Sequence, residues 1–207
     1  RRVLFRSLPM NYELSASTFA PTAKVHLQRG EKLRIEPGAM VYQLGDIELE
    51  GHMNTNGKKG LGGALSALGR SVTSGESFFI STATARSNEA MIAIAPAVPG
   101  KIFALDVGAE HWRLNTGAFL ASEENVSYQM QRQKLSGALL GGTGGFFVME
   151  TTGRGQILVS AFGDVEKIEL DGQSPVIIDN QHVIAWTNSL DYNIRVASGT
   201  FGFKTGE

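Results

Sequence analysis

The chain has 207 residues, 42% of them apolar and 19% charged, with 19 basic side chains against 20 acidic ones. That composition supports a buried core and excludes a disordered chain. The balanced charge argues against a nucleic-acid binder, which carries a basic excess or stripe, and the absence of cysteine excludes disulfides and thiolate metal sites.

Arg1-Arg2-Val3-Leu4-Phe5-Arg6-Ser7 fits no structural element and matches what one frame of a common sequencing-adaptor oligonucleotide encodes. Residues 1–9 are therefore read as a non-native leader, with Met10 as the native start. Nothing after Met10 resembles the apolar stretch of a signal peptide, and no apolar run approaches the ~20 residues of a membrane-spanning helix. The expected location is the cytoplasm, with a membrane surface as a second option.

The first predicted strand is Lys32-Leu33-Arg34-Ile35-Glu36, where apolar and charged residues alternate with the period of two of a half-buried strand. Ile47-Glu48-Leu49-Glu50 repeats the pattern, and so does Lys167-Ile168-Glu169-Leu170-Asp171. The 25 glycines recur between apolar stretches, as short strands joined by tight turns require. Between the first strands and Ser74-Gly75-Glu76-Ser77-Phe78-Phe79 lies a Gly-rich stretch, Gly57 to Gly75. Within it Leu61, Leu65, Leu68 and Val72 stand at helical spacing, with Arg70 nearby. These five residues are the candidate interaction segment, for a membrane surface or a protein partner; the structural alternative is a helical plug on the end of the β core. Leu135, Leu139 and Leu140 form a shorter counterpart.

Landmarks recur along the chain. Gly38-Ala39-Met40-Val41 matches Gly117-Ala118-Phe119-Leu120, with Pro175-Val176-Ile177-Ile178 as a weaker third copy. Ser74-Gly75-Glu76-Ser77-Phe78-Phe79 matches Thr143-Gly144-Gly145-Phe146-Phe147, and Thr205-Gly206-Glu207 begins the same phrase. The segment from Ile94 to Ile102 matches that from Ser160 to Ile168. The reading is an all-β fold: β-sandwich units in a pseudo-threefold arrangement, with short Gly-rich helical insertions. One domain covers 10–207, in three repeats of about 10–110, 111–172 and 173–207, the third expected to be truncated. A single hairpin is marginal in water, so the units must bury their apolar faces together.

Several of these phrases carry a resemblance. Pro37-Gly38-Ala39-Met40-Val41-Tyr42, Gly60-Leu61-Gly62-Gly63-Ala64-Leu65, Ala95-Pro96-Ala97-Val98-Pro99-Gly100 and Gly117-Ala118-Phe119-Leu120-Ala121-Ser122 are similar to a widespread bacterial family of unknown function. Its mitochondrial relatives are the "altered inheritance of mitochondria" proteins. The resemblance implies a fold like that of the tryptophan-RNA-binding attenuator protein, with β-sandwich units around a pseudo-threefold axis. It implies no established enzymatic activity, and a tie of the mitochondrial relatives to the inner membrane. Fold does not fix function.

Catalytic signatures are absent from the sequence. There is no Walker loop, no third glycine after Gly60-Leu61-Gly62 and no Gly-x-Ser-x-Gly elbow. His26, His52, His111 and His182 are scattered, so no metal and no cofactor is expected. His52 is expected to pair with Glu50. Glu123 and Glu124 are adjacent, which on a strand sends their carboxylates to opposite faces. Trp112, Trp186, Tyr42, Tyr128 and Phe119 are core or rim candidates. The functional expectation is a non-enzymatic scaffold or interaction protein, homo-oligomeric and with a protein or peripheral membrane partner. The alternative is a small-ligand or RNA-binding module using grooves between the repeats.

Overall fold

The computed structural model describes residues 9–55, 77–132 and 147–193. The described residues form fourteen strands: β1 (Tyr12–Leu14), β2 (Ala23–Leu27), β3 (Lys32–Ile35), β4 (Met40–Leu44), β5 (Ile47–Thr55), β6 (Ser77–Ala85), β7 (Ala90–Ile94), β8 (Gly100–Val107), β9 (Trp112–Asn115), β10 (Phe119–Glu123), β11 (Val126–Arg132), β12 (Phe147–Gly153), β13 (Gly155–Phe162) and β14 (Ala185–Thr187). Two single 3-10 turns, Thr116–Ala118 and Asn180–His182, are the helical elements among them. The protein is an all-β protein.

All strand pairing is antiparallel and falls into three sheets. Sheet A has the order β1-β2-β7-β4, sheet B the order β5-β6-β3-β10-β13-β8, and sheet C the order β11-β12-β9-β14. The alternation in Lys32–Ile35 produces what it predicts: Leu33 and Ile35 are buried, while Lys32 is exposed and Arg34 is half-buried. Leu33 and Ile35 join Val25 and Ile92 of sheet A and Leu120 and Leu158 of sheet B in one apolar core. The opposite face of sheet B supplies Phe119, Ile157 and Val159 to a second core, which sheet C completes with Leu114, Val126 and Met149. Strand β10 feeds both cores, because a register shift between Phe119 and Ala121 turns Phe119 to one and Leu120 and Ala121 to the other. Sheet B is thus a shared wall, covered by sheet A on one side and by sheet C on the other.

Two sequence expectations come out differently. Lys167–Asp171 has the alternation of a strand but lies in none, and Ile168 and Leu170 are exposed. Pro175–Ile178 also lies in no strand, with Val176, Ile177 and Ile178 exposed. Alternation marks a segment able to bury one face, and it forms a strand only where a neighbour offers a ladder. No described strand runs beside either segment. The candidate interaction residues Leu61, Leu65, Leu68, Arg70 and Val72 lie outside the described residues, as do Leu135, Leu139, Leu140 and Thr205–Glu207.

Candidate functional site

Sheet B offers an apolar face to sheet A along its length, but its other face changes character halfway. Under β10, β13 and β8 it is apolar and covered by sheet C. Under β3, β6 and β5 it is polar, apart from Ile80 of β6, which joins the second core. Arg34, Thr82 and Glu50 stand in one row across these three strands, and Lys32 and Thr84 in the next. Strand β11, at the edge of sheet C, forms a wall over this floor with Ser127 and Tyr128. The result is a groove of about 510 Å³, with His52 and Glu124 at its margins.

The charges in the groove engage one another. Lys32 Nζ lies 3.0 Å from Glu124 Oε1, and His52 Nε2 lies 3.7 Å from Glu50 Oε2. Residues i and i+2 share a strand face, which is why the His52–Glu50 pair could be read from the sequence. Arg34 donates through Nη1 to the main-chain carbonyl of Val126, tying β3 to the start of β11. Burial holds the Tyr128 phenol above its ordinary range, with the nearby Arg34 charge working weakly against the shift. Tyr128 is therefore a neutral phenol in this groove at physiological pH.

Glu123 is the last residue of β10 and Glu124 lies in the turn that follows, so the strand alternation does not apply to the pair, yet they part company. Glu124 reaches Lys32, while Glu123 Oε2 accepts from the Gln156 N–H at 2.6 Å. Burial raises the Glu123 pKa, the Gln156 hydrogen bond opposes this, and the charges of Glu31 and Asp106 add to the rise. An acid with a raised folded-state pKa holds its proton longer than the unfolded chain does. Its contribution to stability is therefore favourable at low pH and is lost as pH rises through the carboxylate range. Glu123→Gln keeps an oxygen for the Gln156 N–H and removes the charge. Thermal melts should show the variant more stable than the parent at pH 7, the gap closing below about pH 4. An unchanged or lower melting temperature at pH 7 contradicts this.

A second arrangement of the same kind lies on sheet C. Arg113 of β9 donates through Nη1 to Leu190 O at 3.1 Å, and its Nε lies 3.3 Å from Glu150 Oε2. Its guanidinium sits 5.2 Å from the ring centre of Tyr192, which in turn meets Trp186 edge-on at 5.1 Å. Sequence reasoning missed both arginines. A signal existed: each arginine stands at the same distance before a Gly-Ala pair, Gly38-Ala39 in one case and Gly117-Ala118 in the other.

The remaining candidates disperse. His26 pairs with Glu13 at 3.0 Å, while His111 and His182 stand elsewhere. No group of three His, Asp or Glu able to hold a metal ion occurs among the described residues. Phe119 and Tyr128 are core residues, Trp112 is partly buried against the second core, and Tyr42 is exposed. No helix of the described residues is long and apolar enough to cross a membrane.

Comparison with known proteins adds the following. A family profile described as "Mitochondrial biogenesis AIM24" matches residues 12–207. An uncharacterised protein of Streptococcus pyogenes serotype M6 is 42% identical over 199 residues, covering 96% of this chain and 79% of that protein. The crystal structure of a Streptococcus pyogenes protein from a structural genomics programme superposes with a TM-score of 0.75 at 39% identity, covering 96% of this chain and 86% of the other. The chain belongs to the family described as mitochondrial biogenesis AIM24.

Proposed function

We propose that the protein is a non-enzymatic interaction scaffold that self-associates through an apolar corner of sheet B. The observation that carries this reading is Phe162, 76% exposed at the end of β13. Phe162 stands opposite Gly100 in the ladder, and the Gly163 N–H donates to Pro99 O at 3.1 Å. That contact brings Val98, also exposed, to the same corner. Single exposed apolar side chains are ordinary, but two borne on neighbouring backbone segments mark a surface that gains from being covered. Lys32 and Arg34 of the groove support the same reading, since they are engaged in tying β3 to Glu124 and to the start of β11.

Light scattering on the purified protein tests it. The mass should exceed the 22.2 kDa of one chain. The double variant Val98→Ser/Phe162→Ser should return it to the monomer without loss of β-sheet circular dichroism. A parent protein that stays monomeric at every concentration rules self-association out. Binding of that monomer to lipid vesicles would name a membrane surface as the partner instead.

The groove supports a second reading, a site for a small polar ligand carrying both charges. Its mixed lining, with Lys32 and Arg34 already engaged, disfavours a phosphate backbone. A fluorescence titration with an RNA pool at two salt concentrations separates these cases. Steep salt dependence favours RNA, and thermal stabilisation by a zwitterionic solute favours the small ligand.

A further inference from the structure

Arg34 and Arg113 hold equivalent places, and each heads a row of side chains that crosses neighbouring strands on one face. On sheet C the row reads Arg113 of β9, Glu150 of β12 and Gln129 of β11. On sheet B it reads Arg34 of β3, Thr82 of β6 and Glu50 of β5. The sequence supports the match, since Glu150 stands three residues after Phe146-Phe147 and Thr82 three after Phe78-Phe79. The arginines also share a second kind of partner. Each donates through Nη1 to a main-chain carbonyl, Leu190 O or Val126 O, two residues before a tyrosine, Tyr192 or Tyr128.

The rows differ in where the carboxylate stands. Beside Arg113 it is the direct cross-strand neighbour. Glu150 Oε2 lies 3.3 Å from Arg113 Nε and accepts from Gln131 Nε2 at 2.9 Å. Each side chain of that ion pair is 20% exposed. A guanidinium held away from water needs an anion, because a neutral carbonyl does not offset the loss of hydration. Arg34 is half-buried too, yet its neighbour in the row is the uncharged Thr82. Here the carboxylate has moved one strand outward, to Glu50. Strands stand about 4.8 Å apart, so the main chains of Arg34 and Glu50 are about 10 Å apart.

Nothing else among the described residues supplies the missing charge. Arg34 forms no ion pair there. Lys32 and Glu124 satisfy each other at 3.0 Å, and the ion-pair partner of Glu50 among the described residues is His52, at 3.7 Å. The tie from Arg34 to Val126 O uses an N–H and leaves the charge unmatched. Over the shorter Thr82 side chain lies the groove of about 510 Å³, and Arg34, Thr82 and Glu50 all line it.

We infer that the groove seats a small ammonium carboxylate, its carboxylate on the Arg34 guanidinium, in the place that Glu150 takes beside Arg113, and its ammonium group against Glu50. This rests on the small-ligand reading of the groove and names the chemistry of that ligand. A guanidinium presents a planar fork that a carboxylate matches with two parallel hydrogen bonds. Thr82 leaves the room that a glutamate would fill and adds a hydroxyl between the two charges. A ligand with an anion alone would meet Arg34 but be repelled by Glu50 and Glu124, and a cation alone would meet Glu50 but be repelled by Arg34 and Lys32.

Thermal shift and isothermal titration calorimetry at fixed ionic strength test this with glycine, β-alanine and γ-aminobutyrate, whose two charges stand progressively farther apart. At least one should raise the melting temperature of the parent, γ-aminobutyrate most, because two strand spacings separate Arg34 from Glu50. Acetate and ethylammonium, with one charge each, should raise it less. Thr82→Glu keeps Arg34 in place and installs the carboxylate that Glu150 supplies on sheet C. It should melt above the parent without ligand and show no response to the amino acids. Glu50→Gln changes an exposed side chain, so it carries the test even if Thr82→Glu does not fold. It should bind γ-aminobutyrate about tenfold more weakly, the loss of one charged hydrogen bond, and no longer prefer it to acetate. A Thr82→Glu response equal to the parent's, or an unchanged affinity in Glu50→Gln, overturns the inference and leaves the groove a site of other chemistry. No response of the parent to any of the three amino acids also overturns it. Taurine, which carries a sulfonate in place of the carboxylate, then decides the wider reading: stabilisation by taurine keeps a small ligand with both charges, and silence from taurine as well removes it.

Discussion

Phe119→Ala should cost about 3–5 kcal/mol of folding stability, the range for removing an aromatic ring from a packed core. Phe119 has 0% exposure and lies in the middle of the second core. Its ring centre is 5.5 Å from that of Tyr128, so the loss strips a tilted aromatic contact as well as apolar area. Single domains are stable by about 5–15 kcal/mol, so the variant approaches the limit of folding. The loss should not stay on one side of sheet B. The strand that carries Phe119 also carries Leu120 and Ala121 into the first core. Tryptophan fluorescence reports on sheet C, because Trp112 and Trp186 lie on β9 and β14, whereas far-UV circular dichroism reports on all three sheets. Both signals should move to lower urea together, with the slope of the transition unchanged. A loss below about 1 kcal/mol, outside the range for a packed core, would show that the ring is not packed as described.

The second large effect is expected at Gly153, the last residue of β12, at the turn into β13. Its φ of +85° lies in the left-handed region, where a β-branched residue is strained. A Cβ at this position would also run into the main-chain oxygen of Asn125. Asn125 O already accepts from the Arg154 N–H at 3.2 Å, so the turn has no slack to give. Gly153→Val should cost about 3 kcal/mol, combining backbone strain with displacement of the neighbouring turn. Gly153→Asn should cost less, because asparagine tolerates positive φ while meeting the same oxygen. Thermal denaturation of the two variants checks the order. Equal losses would assign the cost to the collision alone, and a valine variant as stable as the parent would contradict the turn geometry.

Local chemistry made part of this fold legible in the sequence. The alternation in Lys32–Ile35 was enough to place Leu33 and Ile35 in a core, because a strand with one apolar face has few other uses for it. The same rule worked for Ile47 and less well for Leu49, which is exposed although it shares Ile47's face. It gave no strand at Lys167–Asp171, where periodicity is strong but no described ladder lies alongside. Periodicity reports which face a segment can bury, and the neighbour that allows burial is a property of the whole chain. The groove shows the same division. The His52–Glu50 pair is local and could be read. The Lys32–Glu124 and Arg34–Val126 contacts each join residues 92 positions apart, and nothing local announces them. What does announce the arginine contact is recurrence, since Arg34 and Arg113 keep the same distance from a following Gly-Ala pair. The aromatics divide by strand position: Phe119, on the central β10 of sheet B, is buried, whereas Tyr42, on the edge strand β4 of sheet A, is exposed.

The account rests on one sheet serving two cores, so that both halves of the molecule stand or fall together. Native-state hydrogen exchange across a series of low urea concentrations tests this directly. The amides of β3, β10 and β13 should be the slowest to exchange, and the ladders of sheets A and C should merge with them into a single opening as urea rises. Two separate openings, one taking β2 and β7 and the other taking β9 and β12 at different urea concentrations, would show two independent sandwiches and contradict it.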